Sequence, residues 1–377
     1  MKKSLCILTD IFITGGVESV ILQTFPVLCE KYDVTLFVLT GTIDKELINR
    51  MPTEVKIKKG SFHWSLINEL KIQLPFIAGH YFKKEIGKSY DILIVLKPSC
   101  RGAVAAKLAD INVYWNHSSH DIIYEDTRQL DLLHIINRLR LKTIYKQFDE
   151  IWQISEALKE KYERIFGIKN CYTINNPIDE VRILKQAAIN PEDCSFSEKV
   201  VSIVMVGRLS KEKGFERVLH AIGSIQPQIS FQVIIIGEGP QEARLRDLSK
   251  QYQLDDHVKF LGRKNNPYPY IRCSDLLICP SLQESFGLVI LEAMLLRTPV
   301  IATRTIGSEY ITENGKYGIL IDNEDQSIKE VLDRVFHMKL QMNNLLNDAY
   351  LRSLEFSVNR FKNRILQRLE YLCEKNS

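Results

Sequence analysis

The sequence predicts an α/β protein built from two doubly wound, Rossmann-like domains. Short, continuously apolar runs recur along the whole chain, and longer segments with helical spacing of apolar residues separate them. Strands that are apolar at every position are typical of parallel sheets covered by helices on both faces. The length of 377 residues is sufficient for two such domains.

The predicted strands form one set in each half of the chain. The first set comprises 5–9, 34–39, 92–96, 113–116 and 151–154, and the second comprises 201–206, 232–236, 258–261, 276–279, 300–302 and 319–321. Between them, residues 190–198 lack apolar periodicity, which indicates a linker. We therefore predict a first domain at 1–190 and a second at 198–355. A terminal helix in 356–377 is expected to pack back towards the first domain.

The composition excludes several classes of protein. A hydrophobic content of 45% with 25% charged residues is typical of globular proteins, and a net charge of +4 does not indicate nucleic-acid binding. The eight cysteines form no CxxC pair, so we expect reduced thiols without a disulfide framework or zinc site. Asp10 interrupts the first apolar run, which favours a strand over a signal peptide. No apolar run is long enough to predict a membrane span.

The segment 279–294 is the most informative stretch of the second half. It reads as a strand, a loop and a helix that starts near Ser285, and such a loop lies at the ligand-binding edge of a parallel sheet. The first amides of the helix would bind a phosphate oxygen. Glu284 and Glu292 are eight residues apart, roughly 12 Å of helical rise. Two carboxylates so spaced could hold hydroxyls at both ends of a nucleotide-sugar, although a capped helix with ordinary acids is the commoner explanation.

A basic loop follows the first strand of the same domain. Arg208 stands at the strand end and Lys213 at the start of the next helix. Both could bind a diphosphate and neutralise the charge that grows on it as a glycosidic bond breaks. A basic loop by itself is usually a solvated turn.

Four motifs in order carry a resemblance to a known family. They are G-R-L-x-x-x-K-G at 207–214, G-E-G-P at 237–240, P-S-x-x-E-x-F-G-L-x-x-L-E-A-M at 280–294 and T-P-V-I-A at 298–302. Together they resemble glycosyltransferase family 4, including the bacterial enzymes of capsule, lipopolysaccharide and polyprenyl-linked glycan synthesis. The resemblance implies the GT-B fold, with two Rossmann-like domains facing a central cleft. It also implies a retaining hexosyl- or N-acetylhexosaminyltransferase.

The resemblance assigns roles to individual residues of the second domain. Arg208 and Lys213 match the residues that bind the donor diphosphate. Glu284 matches the glutamate that contacts the transferred sugar, and Glu292 matches the one that binds the ribose. Arg208, Lys213 and Glu284 are therefore predicted to be catalytic as well as donor-binding.

Further donor contacts are implied through the main chain. Phe286, Gly287 and Leu288 match positions whose amides lie along the donor, and Arg263 matches a contact to the base. The chain departs from the family pattern at 306–307, where Ile306-Gly307 replaces paired glycines. This departure leaves the loop around Gly307 less well predicted.

The first domain contains only short motifs that resemble the family. Gly16 belongs to T-G-G-V-E, which resembles a glycine loop whose amides face the cleft near the donor phosphate or the acceptor, and Gly16 is predicted to bind the donor; the alternative is a plain tight turn. His117 ends a predicted strand and matches a histidine that touches the donor sugar and the reaction centre. A strand-end histidine by itself is more often a neutral hydrogen-bonding residue, but the family position favours a function, so His117 is predicted to be catalytic. His120, three residues on, could fill the role instead.

The predicted reaction uses no metal or other cofactor. The chain has no DxD motif, so Arg208, Lys213 and the helix amides would carry the diphosphate charge. A leaving-phosphate oxygen would deprotonate the acceptor, a glycan or a polyprenyl-linked glycan. A UDP-sugar is favoured over a GDP-sugar as donor, although the motifs specify neither base nor sugar. The alternatives are a nucleotide-sugar epimerase of the same fold and a non-catalytic partner subunit of a glycosyltransferase complex.

A basic segment raises the question of membrane contact. Four lysines surround apolar and aromatic residues between 71 and 88, namely Lys71, Lys83, Lys84 and Lys88. Such a segment can lie on an anionic membrane, but an ordinary amphipathic helix with a solvated lysine face is slightly favoured. We expect a cytoplasmic protein of cell-surface polysaccharide synthesis, either free or at the inner face of the cell membrane, with no nucleic-acid partner.

Overall fold

The chain forms two compact units. A computed structural model describes residues 2–62, 75–119, 132–191, 193–337 and 345–376. The first unit comprises Met1–Pro177 with Val358–Ser377, and the second comprises Ile178–Ser357. In the part of the chain that the structure describes, no helix is both long and apolar enough to cross a bilayer.

The first unit is built around a parallel sheet. Its strands are β1 (Lys3–Thr9), β2 (Tyr32–Val38), β3 (Lys56–Lys59), β4 (Tyr90–Val95), β5 (Ala109–Asn116), β6 (Glu150–Gln153) and β7 (Cys171–Thr173). They lie in the order β3-β2-β1-β4-β5-β6-β7. The strand order reverses beside β1, which creates the switch point where open α/β sheets bind ligands.

Helices connect the strands of the first unit. They are α1 (Gly16–Cys29), α2 (Lys45–Asn49), α3 (Pro75–Ile86), α4 (Leu132–Tyr145) and α5 (Glu156–Phe166), with a 3₁₀ helix at Pro98–Ala106. The inner strands carry almost continuous buried residues, as in β4, because helices cover both faces of the sheet.

The second unit repeats this architecture. Its strands are β8 (Val201–Val206), β9 (Phe231–Ile236), β10 (Val258–Phe260), β11 (Leu276–Cys279), β12 (Val300–Thr303) and β13 (Ile319–Ile321). Their order is β10-β9-β8-β11-β12-β13, and every pair is parallel. The switch point lies between β8 and β11, whose carboxyl ends carry the basic loop and the loop of Glu284.

The helices of the second unit vary in length. They are α6 (Glu180–Ala187), α7 (Phe215–Ile225), α8 (Glu242–Gln251), α9 (Tyr268–Cys273), α10 (Leu288–Leu295), α11 (Ile306–Thr312), α12 (Asp325–Phe336) and α13 (Leu346–Ser353). The apolar face of α12 packs with α7 on one side of the sheet, in the core that contains Val218 and Leu332.

The last helix, α14 (Val358–Lys375), is part of the first unit. The ring of Phe361 stacks on Trp115 with their centroids 6.0 Å apart. The Arg368 guanidinium donates from Nε to Glu150 Oε2 at 2.9 Å, and Glu150 is buried. The chain therefore returns to its first unit after completing the second.

Three features differ from the sequence predictions. The units divide between Pro177 and Ile178 instead of at 190–198. The reason is that α6 belongs to the second unit, where its Ile183 is buried. β3 was not predicted because its sequence, K-I-K-K, is a largely exposed sheet edge without an apolar run. β7 is an edge strand of three residues, too short to give a pattern.

Candidate active site

Two loops of the second unit meet at the carboxyl edge of its sheet. Gly214 has φ +64°, and a Cβ at this position would lie 2.3 Å from the carbonyl oxygen of Pro280, so only glycine allows the approach. The Leu282 amide donates to the carbonyl oxygen of Glu212 at 2.8 Å. The basic loop is thus in backbone contact with the loop after β11.

A buried arginine fixes this contact. The Arg217 guanidinium donates to the Pro280 carbonyl at 3.1 Å, to Asn323 Oδ1 at 2.7 Å and to Asp325 Oδ1 at 2.6 Å. Asn323 in turn donates from Nδ2 to the carbonyl of Leu282 at 3.1 Å. Charge-assisted hydrogen bonds of this kind hold a loop in one conformation.

The contact brings Lys213 and Glu284 together. Lys213 Nζ lies 2.5 Å from Glu284 Oε2, and the two side chains are 26% and 14% exposed. Burial lowers the pKa of the Lys213 amine, but Glu284 together with Cys279 and Glu212 more than offsets this effect, so the pKa is raised overall. Lys213 therefore stays protonated at neutral pH and offers a fixed cation beside a carboxylate.

Arg208 adds a second positive charge to the basic loop. Its side chain is exposed. The Ser210 side chain lowers the pKa of the Glu212 carboxyl, and the charges of Arg208 and Lys213 act in the same direction. The two cations predicted to bind a diphosphate thus act on one neighbouring carboxylate.

The helix after Glu284 starts later than the sequence predicts. α10 begins at Leu288, after Gly287 with φ +93°, so Glu284 lies in the preceding loop. The prediction that one helix separates Glu284 from Glu292 by about 12 Å of rise is therefore wrong. The loop is held instead by Gly307, whose amide donates to the Glu284 carbonyl at 2.9 Å. A Cβ at Gly307 would lie 2.7 Å from the backbone of Phe286, which explains the glycine. The Phe286 ring is buried, so only its main chain can face a ligand.

Glu292 has different neighbours. The Tyr268 hydroxyl lies 3.5 Å from Glu292 Oε1, and Arg182 Nη2 donates to the Tyr268 hydroxyl at 3.4 Å. Burial raises the pKa of Glu292 to about 7, while the Arg182 charge and Tyr268 act weakly in the opposite direction. The sequence analysis did not find Arg182 and Tyr268, because they lie far from Glu292 in the chain and belong to no motif.

Arg263 lies in the loop after β10, and its side chain is exposed. Its contact to a base stays a prediction. Across the described ranges, no group of three or more histidine, cysteine, aspartate or glutamate side chains could hold a metal ion.

In the first unit, Gly16 opens α1 at the carboxyl end of β1. It is exposed, and a Cβ there would meet nothing within 4 Å. Two residues on, the buried Glu18 carboxylate pairs with Lys97 Nζ at 2.9 Å. Sequence reasoning missed Lys97, although a lysine directly after a predicted strand is the same pattern that identified Arg208.

His117 follows β5 at the same edge of the first sheet. The centroids of the His117 and Trp115 rings are 4.8 Å apart. Neither nitrogen of the His117 ring, both of them buried, has a hydrogen-bond partner among the described residues. Burial lowers the pKa of His117 to about 3, the Lys97 charge acts likewise, and Asn176 opposes them weakly. The imidazole is neutral at physiological pH. His120, the alternative, lies outside the described residues.

Comparisons with known proteins bear on the second unit most directly. Residues 189–352 match the family model described as "Glycosyl transferases group 1". The chain is 26% identical over 332 residues to the Campylobacter jejuni N-acetylgalactosamine-N,N'-diacetylbacillosaminyl-diphospho-undecaprenol 4-alpha-N-acetylgalactosaminyltransferase, covering 85% of this chain and 87% of that relative. It is 29% identical over 203 residues to N-acetyl-alpha-D-glucosaminyl L-malate synthase of Bacillus anthracis. That match covers 52% of this chain and about half of the relative, 53%.

Solved structures extend the likeness to both units. Anabaena HepE in complex with UDP and glucose aligns with a TM-score of 0.73 over 98% of this chain and 100% of that chain, at 18% identity. At this identity the likeness shows the fold. The predicted fold class, two Rossmann-like domains of the GT-B architecture, is confirmed.

Proposed function

We propose that this protein transfers a sugar from a nucleotide-diphosphate-sugar to a glycan or lipid-linked acceptor, a proposal supported by the match of residues 189–352 to the glycosyl transferases group 1 model. The observation that carries the proposal is the Lys213–Glu284 pair, at 2.5 Å, on two interlocked loops at the carboxyl edge of the second sheet. A cation and a carboxylate held this close match a donor that presents phosphate and sugar hydroxyls side by side.

The chemistry we propose follows from these charges. A donor diphosphate would attract Lys213 and the exposed Arg208, and so leave Glu284 able to accept hydrogen bonds from the sugar. As the glycosidic bond breaks, the growing charge on the phosphate would be stabilised by both cations and by the first amides of α10. These groups would make the reaction independent of a metal ion.

We further propose that the anomeric configuration is retained. A leaving-phosphate oxygen would take the acceptor proton on the face of the sugar where the bond breaks. The pKa of about 3 makes His117 a poor base, so it would serve as a neutral hydrogen-bonding group. The names of both relatives specify alpha linkages, which retention would produce from an alpha-linked donor.

The acceptor we propose is a glycan on a polyprenyl diphosphate, in cell-surface polysaccharide synthesis at the cytoplasmic side of the membrane. Support comes from the C. jejuni relative, whose name describes a diphospho-undecaprenol acceptor and which aligns over 85% of this chain. We propose a UDP-sugar as donor, and UDP is the nucleotide named for the HepE complex.

The test compares two neighbouring lysines. Lys213 and Lys211 lie in the same short 3₁₀ turn, but Lys211 is exposed and lies at the other end of the turn. UDP- and GDP-sugars should stabilise the wild type and Lys211→Ala in a thermal-shift panel, with UDP-sugars stronger. Lys213→Ala should lose the shift and at least about a hundredfold in transfer rate.

The same assays separate the alternatives. Equal behaviour of the two alanine variants would contradict the proposed site. Donor turnover without an acceptor would indicate an epimerase, and donor binding without any turnover would indicate a non-catalytic subunit. Loss of transfer in EDTA, restored by a divalent metal, would exclude the metal-independent route. The anomeric configuration of the product, read by NMR, tests retention.

A further inference from the structure

The lysine-bearing segment of the first unit stays a predicted membrane contact. Lys71 lies outside the described residues. Lys83, Lys84 and Lys88 are exposed, whereas the Phe82 ring of α3 is buried in the first unit and is not available to a bilayer. Exposed lysines beside a buried apolar face are also typical of an ordinary amphipathic helix.

The second unit contains a groove with a volume of about 380 Å³. It lies at the C-terminal end of α10, whereas the loop of Glu284 precedes the N-terminal end of the same helix. The helices α6, α9 and α13 contribute the other walls. Small-molecule sites have volumes of roughly 300–1,000 Å³. The groove is therefore separate from the proposed donor site and large enough for a ligand.

The groove combines apolar walls with two positive charges. Its aliphatic lining comprises Leu184, Ala187, Ala188, Leu295 and Leu296. Arg272 and Arg297 also line it, and both side chains are exposed. Among the described residues, no acid lines the groove. A ligand would thus meet apolar surface and positive charge together.

The Arg297 guanidinium is held in place without a carboxylate. Its central carbon lies 4.3 Å from the centre of the half-buried Tyr350 ring, and Nη1 donates to Asn347 Oδ1 at 3.1 Å. Within the described part of the chain, this is the one hydrogen bond that its side chain makes. A guanidinium carries several N–H donors in a fixed plane, so the others are available to an anion.

The backbone of Arg297 also indicates a use for its side chain. Its φ is +56°, in the left-handed region where glycine is the common residue directly after a helix. Backbone conformation therefore favours glycine at this position, so the reason for an arginine lies in its side chain. Arg272, in the last turn of α9, supplies the second charge. Two guanidinium groups beside apolar walls are complementary to a molecule with an anionic group and an apolar body.

The helices around the groove also hold Glu292. Arg182 lies on α6, Tyr268 on α9 and Glu292 on α10, and the Tyr268 hydroxyl contacts both of the other side chains. Each of these three helices also lines the groove. A ligand in the groove would therefore contact the elements that place the carboxylate predicted to bind the ribose of the donor.

We propose that this groove binds a small organic anion with an apolar body, and that the bound anion is an effector of donor binding. Its anionic group would contact Arg272 and Arg297, and its apolar body would cover the leucine side chains. The binding site stands by itself, whereas the effector role rests on the proposed function.

Isothermal titration calorimetry with 1-naphthoate tests the binding site. The wild type should bind 1-naphthoate saturably, and should bind the uncharged 1-naphthalenemethanol at least about tenfold more weakly, because the arginines then meet no charge. Arg297→Gly and Arg272→Gln should each weaken naphthoate binding at least about tenfold. A glycine relieves the left-handed backbone at 297, so this variant should stay folded, which thermal melts establish.

Two variants control for the loss of a positive charge elsewhere. Arg334 is also exposed in the last turn of its helix, α12, so Arg334→Gln should bind naphthoate like the wild type. Lys213→Ala should do the same, because Lys213 belongs to the donor site. Absence of saturable binding, or an equal loss in either control, would overturn the proposed site. So would a wild-type dimer in light scattering that Arg297→Gly converts to monomers, since the groove would then be a protein interface.

Titrations with UDP test the effector role. Saturating 1-naphthoate should change the dissociation constant of UDP at least about fivefold in the wild type and leave it unchanged in Arg297→Gly. An unchanged constant in a wild type that binds naphthoate would overturn the effector role. Failure to bind UDP or any nucleotide sugar would contradict the proposed function, while saturable naphthoate binding would still support the groove.

Discussion

Single residues at the edge of the second sheet differ in how their charge is balanced. Glu284 has an ammonium group at 2.5 Å, whereas the hydrogen-bond partner of Glu292 is the neutral Tyr268 hydroxyl at 3.5 Å, with the Arg182 charge opposing the effect of burial. Burial consequently dominates at Glu292 and raises its pKa to about 7. Two glutamates in one sequence motif are thus placed in opposite electrostatic environments by residues outside the motif.

The pKa of Glu292 predicts a pH dependence of donor binding. Below about pH 7 the carboxyl is protonated, and above it the carboxylate can accept hydrogen bonds from two ribose hydroxyls. Donor affinity of the wild type should therefore rise between roughly pH 6 and pH 8. Calorimetric titration should show weaker donor binding and no such rise in Glu292→Gln. A wild-type affinity independent of pH would refute the assigned role.

The raised pKa of Glu292 also affects the stability of the fold, which should fall as the pH rises, whereas donor affinity should rise. The folded-state pKa lies above the ordinary 4.5, so the stabilising contribution of Glu292 is complete below 4.5 and is lost as the pH rises through about 7. At pH 8, Glu292→Gln should thus be more stable than the wild type by on the order of 1 kcal/mol. Thermal melts at pH 5 and pH 8 test this, and an equal change at both would exclude the pKa as its cause.

At the scale of elements, short loops at strand ends carry the proposed chemistry. The loop of Glu284 is fixed by the glycines at 214 and 307 and by the buried Arg217. None of these three residues needs to touch a ligand to matter, because each sets the path of the backbone that presents Glu284.

Gly307 offers the sharpest test of this support. In Gly307→Ala the new methyl would lie 2.7 Å from the Phe286 backbone, so the loop must shift. We expect a loss of roughly 1–3 kcal/mol in the free energy of unfolding, with a reduced transfer rate. Gly16→Ala is the matched control for stability, since its methyl meets nothing within 4 Å. Equal stability of the two variants in denaturant titrations would contradict the close packing.

The sequence analysis predicted some elements and site residues and missed others, for physical reasons. The inner strands were predicted because burial on both faces demands continuous apolar runs, whereas the lysine-rich β3 has an exposed edge. Lys213 and Glu284 were predicted because their loops carry local motifs. Arg182 and Tyr268 were not, since contacts between distant segments leave no local pattern. The start of α10 was placed about three residues early, because the positive φ of Gly287 cannot be read from its neighbours.

For the whole molecule, the second unit is a continuous insertion in the chain of the first. Its two ends lie next to each other: the Ile178 amide donates to the Phe356 carbonyl at 2.8 Å, and Ile178 pairs with Ser357. A segment with adjacent ends and its own core can be excised with little cost in chain entropy.

We therefore expect residues 178–357 to fold when expressed alone. Circular dichroism should show a cooperative thermal transition, and a UDP-sugar should raise its midpoint if the donor site is as proposed. A fragment ending at residue 340 is the control, because it lacks α13, whose Ala349 is buried. A fragment 178–357 without a cooperative transition would show that the second unit depends on the first.

The return of α14 to the first unit bears on how the protein is made. A ribosome synthesises the β1–β7 sheet first, yet the helix that covers Trp115 and pairs with Glu150 emerges only after the whole second unit. The second unit, by contrast, is complete as soon as its own residues have left the exit tunnel. During synthesis the unit begun first is thus finished last, and its uncovered Trp115 face is what a nascent-chain chaperone would meet.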